Sequence, residues 1–209
     1  MIKTHKDLAA PAFDIVLASS SAARKSMLER AGVSFRVMPA DIDERSIADL
    51  LISEDKRAEH ITEQLAIAKA QYISERQVDA LVIGSDQTLE FEGEILSKSE
   101  TIEDAKRALY ALSGKTHRLH SSVCVMRGRD ILFMHTDSAD LTMHRLDQDF
   151  IDAYALRDPD ALTACVGGYK IEGAGAWLFD EIKGDHYTIM GMPLLPLLAF
   201  LRIHCKIMP

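Results

Sequence analysis

Three serines and two cations stand together in Ser19-Ser20-Ser21-Ala22-Ala23-Arg24-Lys25. They follow a short apolar run with β-branched residues, Asp14 to Ala18, and precede a helical pattern. That order predicts a strand, a turn and a helix N-terminus. Unpaired backbone N–H groups and the positive end of a helix dipole suit a phosphate there. Arg24 and Lys25 in a first turn oppose the dipole by ~0.3–1 kcal/mol each when exposed, a placement that makes sense if an anion is held between them. The plainer reading is a Ser21 N-cap followed by solvated cations.

A second candidate is Asp86, which follows the apolar stretch Ala80 to Gly84 and Ser85. A carboxylate at the carboxyl end of a buried strand lies where α/β sheets place ligand sites. It could bind a metal or take a proton from water; it could equally stabilise a tight turn. Lys98 closes the loop Gly93-Glu94-Ile95-Leu96-Ser97-Lys98, Asp43-Glu44 follows a second strand, and Lys69 lies late on a long helix. Each of these, taken singly, reads as a surface charge. The eight histidines show no HExxH or other ligand spacing. Cys124, Cys165 and Cys205 lie far apart without a CxxC pair, which argues against zinc.

The elements that must position these residues can be traced by periodicity. Asp14 to Ala18 and Ser34 to Met38 read as strands, flanking a helix with Met27, Leu28 and Ala31 on one side and a stop at Gly32. Glu54 to Glu75 is the longest helical stretch, with Ile61, Leu65, Ala68 and Tyr72 at three- or four-residue spacing. Ala80 to Gly84 is a strand running into Ser85-Asp86-Gln87, and Ile102 to Leu112 an amphipathic helix. From His117 to Met143 the pattern alternates, with a hairpin turn at Arg127-Gly128-Arg129-Asp130. Asp147 to Leu156 is helical, Cys165 to Ile189 is Gly-rich with short strands, and Leu194 to Leu201 forms a closing helix. Strand–helix alternation followed by a long hairpin implies an α/β fold on a mixed sheet, not a regular doubly wound one. There is no internal repeat or linker, so residues 13–204 are expected to form one domain between short tails, 1–12 and 205–209.

Composition narrows the partners. The chain has 209 residues and a formal net charge of -8, which argues against a general nucleic-acid binder. A single nucleotide remains admissible, because a few local cations and a metal ion would suffice. The N-terminus has no apolar signal core, and an odd number of cysteines without a secretory signal suits a reducing compartment. The longest apolar run, Met192 to Ile203, is interrupted by Pro193, Pro196 and Arg202, too short to span a bilayer. A soluble, cytoplasmic protein without nucleic-acid or membrane partners is expected, with room for a homodimer.

What is specific is the order of the motifs. LASSSAARKSMLERAGVSFRV, DIDE, LAIAKA, VIGSDQTLEFEGEILSKS, ALSGKTHRLHSSV and VGGYKIEGAGAWLFDEIKGDHYTIMGMPLLPLL follow one another along the chain. In that order they closely resemble the Maf family, from Asp14 to Leu201. The resemblance implies a nucleoside triphosphate pyrophosphatase, with an inosine-triphosphatase-like mixed α/β sheet, flanking helices and a deep central cleft, requiring a divalent cation such as Mg or Mn. It assigns Asp86 as the proton acceptor, Glu44 and Asp86 as metal ligands, and Ser19, Arg24, Lys69 and Lys98 as phosphate-binding groups. Three positions match the family's base-reading residues: Ala23, Gln87 and Glu172. Gln87 and Glu172 agree with the branch acting on 7-methyl-GTP, whereas Ala23 departs from the Trp of that branch and from the Arg of the dTTP/UTP branch. An ionised Glu172 only accepts hydrogen bonds, which suits the N1–H and amino group of a guanine edge. A dTTP/UTP or broad non-canonical-nucleotide pyrophosphatase is the alternative enzyme, and a nucleotide-binding regulator of cell division the alternative of another class. No GxxxxGK[ST] loop is present, which argues against a P-loop kinase.

Overall fold

A computed structural model describes residues 13–206; the expected N-terminal tail and residues 207–209 of the expected C-terminal one lie outside that range. The chain forms one mixed seven-stranded sheet, with spatial order β2-β1-β3-β5-β6-β7 and β4 paired to β3. The strands are β1 (Ile15–Leu17), β2 (Arg36–Val37), β3 (Leu81–Phe91), β4 (Glu94–Leu96), β5 (Thr116–Arg127), β6 (Asp130–Met143) and β7 (Phe179–Lys183). β1 runs parallel to β2 and β3, and the remaining pairings are antiparallel. Among the described residues eight α-helices accompany them: α1 (Ala22–Arg30), α2 (Glu44–Ser53), α3 (Ala58–Ser74), α4 (Ile102–Leu112), α5 (Gln148–Arg157), α6 (Pro159–Ala164), α7 (His186–Ile189) and α8 (Leu194–Cys205). The expected mixed α/β sheet with flanking helices is present.

Alternation along β3 divides the molecule into two sides, since successive side chains point to opposite faces. Leu81 and Ile83 join Met27 and Leu28 of α1 and Leu197, Phe200 and Leu201 of α8 in one apolar cluster. Further along the same face, Leu89 and Phe91 pack with Leu109 and Leu112 of α4 and Ile151 of α5. The opposite face carries Val82, packed with Ala66, Ala70 and Ile73 of α3. Gly84 is what lets α3 lie so close. A Cβ there would fall 2.3 Å from the Ala66 carbonyl oxygen and 2.6 Å from the Ala70 nitrogen.

The edges of β3 define the site. One edge is occupied by β5 from Val82–Met126 to Glu90–Arg118. The other carries β1 at Leu81 to Ile83 and β4 at Leu89 to Phe91, leaving Gly84 to Thr88 without a strand neighbour on that side among the described residues. Asp86 sits in the middle of this gap.

Several expectations change. Asp86 is not at the end of its strand or in a turn: β3 continues to Phe91, and Lys98 follows β4 instead of a simple loop. α2 was not legible, and α3 begins at Ala58, not Glu54, because residues 54–57 separate the two helices. The Gly-rich stretch holds a single strand, β7, with 3-10 turns at Val166–Gly168 and Ala174–Leu178 and the short α7. α8 runs past Leu201 to Cys205, which is buried against the α1 side of the core. No helix among the described residues is long and apolar enough to cross a membrane.

Candidate active site

Lys69 reaches from α3 across the close contact made possible by Gly84. Its Nζ lies 2.5 Å from Asp86 Oδ1 and 2.8 Å from Glu44 Oε2. Lys69 and Asp86 are each 6% exposed, so their charges are largely withdrawn from water and each requires the other. Glu44 opens α2 and is exposed; its neighbour Asp43 caps that helix by accepting from Ser46 N at 3.0 Å. Among the described residues, Asp86 Oδ2 has no protein hydrogen-bond partner, yet it is not a buried orphan. That oxygen keeps a small face accessible to solvent.

Arg24 approaches from α1. Its Nε donates to the Gly191 carbonyl at 2.8 Å and one terminal nitrogen, Nη1, to Ser19 Oγ at 3.2 Å. Ser19 Oγ also accepts from Ser21 N at 3.2 Å, and Ser21 Oγ caps the helix by accepting from Arg24 N. Ser21 is the expected N-cap and Lys25 is exposed beside Glu29, but Arg24 is buried, not a solvated cation. Burial pulls the Arg24 pKa down, opposed by the negative charges of Asp86 and Glu44. A guanidinium nevertheless stays protonated near neutral pH. Its Nη2 has no protein acceptor among the described residues and lies on the Gly191 side of the guanidinium, so one donor is left for a ligand or water.

Gln87 points to the other face of β3. Its Nε2 donates to Ser121 Oγ, the Thr188 carbonyl and the Ile189 carbonyl, each at 3.0 Å. Ser85 Oγ donates to the Gly191 carbonyl at 3.0 Å. The turn from Asp185 to Met192 thus supplies the carbonyls that fasten Arg24, Ser85, Ser121 and Gln87. A helix C-terminus has carbonyls to offer side chains, and that of Thr188 also accepts from Gly191 N at 3.0 Å. Gly191 adopts φ +102, and a Cβ on it would sit 3.5 Å from Arg24 and 3.7 Å from Gln87 Oε1.

The gap in the sheet therefore gathers Ser19, Arg24, Glu44, Lys69, Asp86 and Gln87 from both faces, with Ala23 half-buried next to Arg24. Lys98 and Glu172 are exposed and make no hydrogen bond to this cluster among the described residues. Their opposite charges act together on the Cys165 thiol, whose pKa burial pushes up. Ser85, Ser121 and Gly191 are supports that sequence reasoning missed. The only signal was their presence inside the motif runs.

Two carboxylates and two cations make the cluster neutral overall, so a triphosphate would bring uncompensated charge. No group of three or more His, Cys, Asp or Glu residues able to hold a metal occurs among the described residues. Asp86 and Glu44 can contribute two hard oxygens, a donor set that fits Mg or Mn completed by phosphate oxygens and water. Two open hollows, of about 240 Å³ beside Arg118 and about 760 Å³ beside Phe35, do not include Asp86. The chemistry of the side chains, not the size of a hollow, marks the site.

A mixed α/β sheet with a buried Asp–Lys pair and an arginine at a serine-capped helix start offers groups suited to an anionic ligand. The chain belongs to the Maf family: residues 14–204 match the description "Maf-like protein". It is 47% identical over 189 residues to a "7-methyl-GTP pyrophosphatase" from Mesorhizobium japonicum, covering 90% of this chain and 94% of the relative. It is 45% identical over 188 residues to a "Nucleoside triphosphate pyrophosphatase" from Nitrobacter winogradskyi, covering 90% and 92%. A solved HAM1 protein from Coxiella burnetii is similar at a TM-score of 0.42 and 16% identity, over 65% of this chain and 75% of that one.

Proposed function

We propose that this protein hydrolyses a nucleoside triphosphate at the α-phosphorus, giving a nucleoside monophosphate and pyrophosphate. The observation that carries the reading is Asp86: one oxygen is held by buried Lys69 and the other is open at the sheet gap. A water at Oδ2 would give its proton to Asp86 as its oxygen bonds to the α-phosphorus. The bond from that phosphorus to the α–β bridging oxygen breaks, and pyrophosphate leaves with an added negative charge. Arg24 and Lys69 would stabilise that charge, with Ser19 positioning Arg24 and Lys98 a further phosphate contact. Asp86 and Glu44 would hold Mg or Mn, which supplies charge neutralisation on the triphosphate when bound.

Within this class, the preferred substrate is a 7-methyl-GTP-like nucleotide. Gln87 and the carboxylate of Glu172 favour it, as does the name of the Mesorhizobium relative. Ala23 offers no stacking surface, and Ala23→Trp should strengthen the preference by roughly 0.5–2 kcal/mol if a methylated base lies over it. The protein acts in the cytoplasm, without nucleic acid or membrane, alone or as a homodimer.

A panel of nucleoside triphosphates with Mg or Mn, and with chelator, tests the reading. Monophosphate and intact pyrophosphate are expected, with turnover lost on chelation. Diphosphate and orthophosphate would mean attack at the γ-phosphorus and a different reaction. Binding without turnover would favour the cell-division regulator.

A further inference from the structure

Gln87 carries two amide protons, and three acceptors surround its nitrogen: Ser121 Oγ, the Thr188 carbonyl and the Ile189 carbonyl. The amide can therefore sit in one orientation only. Reversing it would press Oε1 against two carbonyl oxygens, none of which can donate. Ser121 Oγ gives its own proton to the Thr188 carbonyl at 2.7 Å, so toward Gln87 it can only accept. Ser121 is fully buried and stands directly opposite Gln87 in the β3–β5 register. Oε1, by contrast, has no protein partner and is not buried among the described residues. It faces the space beside Gly191 that Arg24 also borders.

We propose that Ser121 is a positioning residue for base selection: with the two α7 carbonyls it locks Gln87 so that the amide presents an acceptor, and never a donor, to the substrate. This inference rests on the pyrophosphatase reading above. The nucleobase fitted at that point is one that offers a ring N–H donor, as guanine does at N1. An adenine edge, whose ring nitrogen there is itself an acceptor, meets Oε1 with two lone pairs opposed.

The test measures kcat/KM for 7-methyl-GTP and for ATP in the wild type and in Ser121→Ala, Ser121→Cys and Gln87→Met. Gln87→Met should narrow the 7-methyl-GTP:ATP ratio about 5- to 30-fold, the value of one well-placed hydrogen bond. Ser121→Ala should narrow it about 3- to 10-fold, because the two carbonyls still hold the amide in part. Ser121→Cys keeps the volume and the buried position while weakening the hydrogen bonds, and should narrow the ratio too. A merely structural role for Ser121 would lower both substrates together and leave the ratio alone, which would overturn the proposal. An unmoved ratio in Gln87→Met would overturn it as well, while leaving the pyrophosphatase reading standing. Absence of turnover in the wild type would instead remove that reading, and this inference with it.

Discussion

At residues 86 and 87 the two faces of β3 carry different kinds of interaction within one peptide bond of each other. Asp86 faces α3 and is held by an ion pair whose partner, Lys69, is shared with exposed Glu44. Gln87 faces α7 and is held by neutral hydrogen bonds to backbone carbonyls and one buried hydroxyl. An ionic arrangement can be redistributed, because Lys69 has two carboxylates to choose between and a phosphate would give it a third anion. A neutral amide among carbonyls has a single low-energy orientation. The ionic face is thus suited to charge that changes during reaction, and the neutral face to reading a shape that does not.

The most severe way to break the ionic face is Asp86→Asn. The amide is nearly isosteric, so the fold should persist, while the proton acceptor is gone. Turnover should fall at least ~10²-fold, measured as pyrophosphate release at saturating nucleotide; near-normal rates would take Asp86 out of its role. Gly84→Ala attacks the same face through packing. The added Cβ has backbone atoms of α3 at 2.3 and 2.6 Å, so the helix must shift and take Lys69 with it. A loss of ~1–3 kcal/mol in stability and of roughly 10- to 100-fold in activity is expected from denaturation and kinetics together. Full activity would mean that Lys69 need not be so closely held.

The neutral face should break with acid. On it, His117 of β5 is buried beside Tyr169 and Phe179, with Nε2 bonded to Tyr169 Oη at 2.6 Å and Nδ1 lacking any partner among the described residues. Burial pushes its pKa from 6.5 down to about 4. Between those values the unfolded chain binds a proton that the native chain does not, so stability drains as pH falls below 6.5. From pH 7 to pH 5 this group should remove about 2 kcal/mol. His117→Gln, which keeps a polar partner for Tyr169 without titrating, should lose that much less over the same interval in denaturant unfolding. Equal slopes for both proteins would show that His117 is not the acid-sensitive group.

These two faces were unequally legible in sequence. α4 was read with its observed bounds because it announces itself locally: Thr101 caps it, Glu103 and Asp104 fill its first turn, and Leu109 and Leu112 face the core. α2 escaped because none of its residues is buried, so no apolar stripe was forced upon it. Only the Asp43 cap signalled its start. β3 was cut short at Gly84 because Ser85-Asp86-Gln87 has the composition of a turn. What keeps these polar residues in a strand is the pairing with β5, Lys69 for Asp86 and the α7 carbonyls for Gln87, all distant in sequence. The ionic cluster was reached through the family resemblance, and structure brings Ser19, Arg24, Glu44, Lys69 and Asp86 into one place. The supports of Gln87 could not be reached that way, since buried serines and backbone carbonyls carry no motif.

The smallest effect is expected where the two kinds of interaction compete for the same task. Gln87 and Glu172 are both assigned to the base, yet Glu172 is exposed and Lys98 acts on the same neighbourhood with opposite charge. An exposed charge is screened by water and salt, and its pairwise contributions run to ~0.2–1 kcal/mol. Glu172→Gln should therefore reduce the preference for 7-methyl-GTP over ATP by about 2- to 5-fold, less than Gln87→Met does. Because the carboxylate works through its charge, the wild-type advantage should shrink as salt rises, whereas the share that depends on Gln87 should not. Measuring kcat/KM ratios at low and high ionic strength separates the two. If Glu172→Gln proves the larger effect and salt erases most of the preference, selectivity is ionic after all, and the neutral face is only a support for the strand.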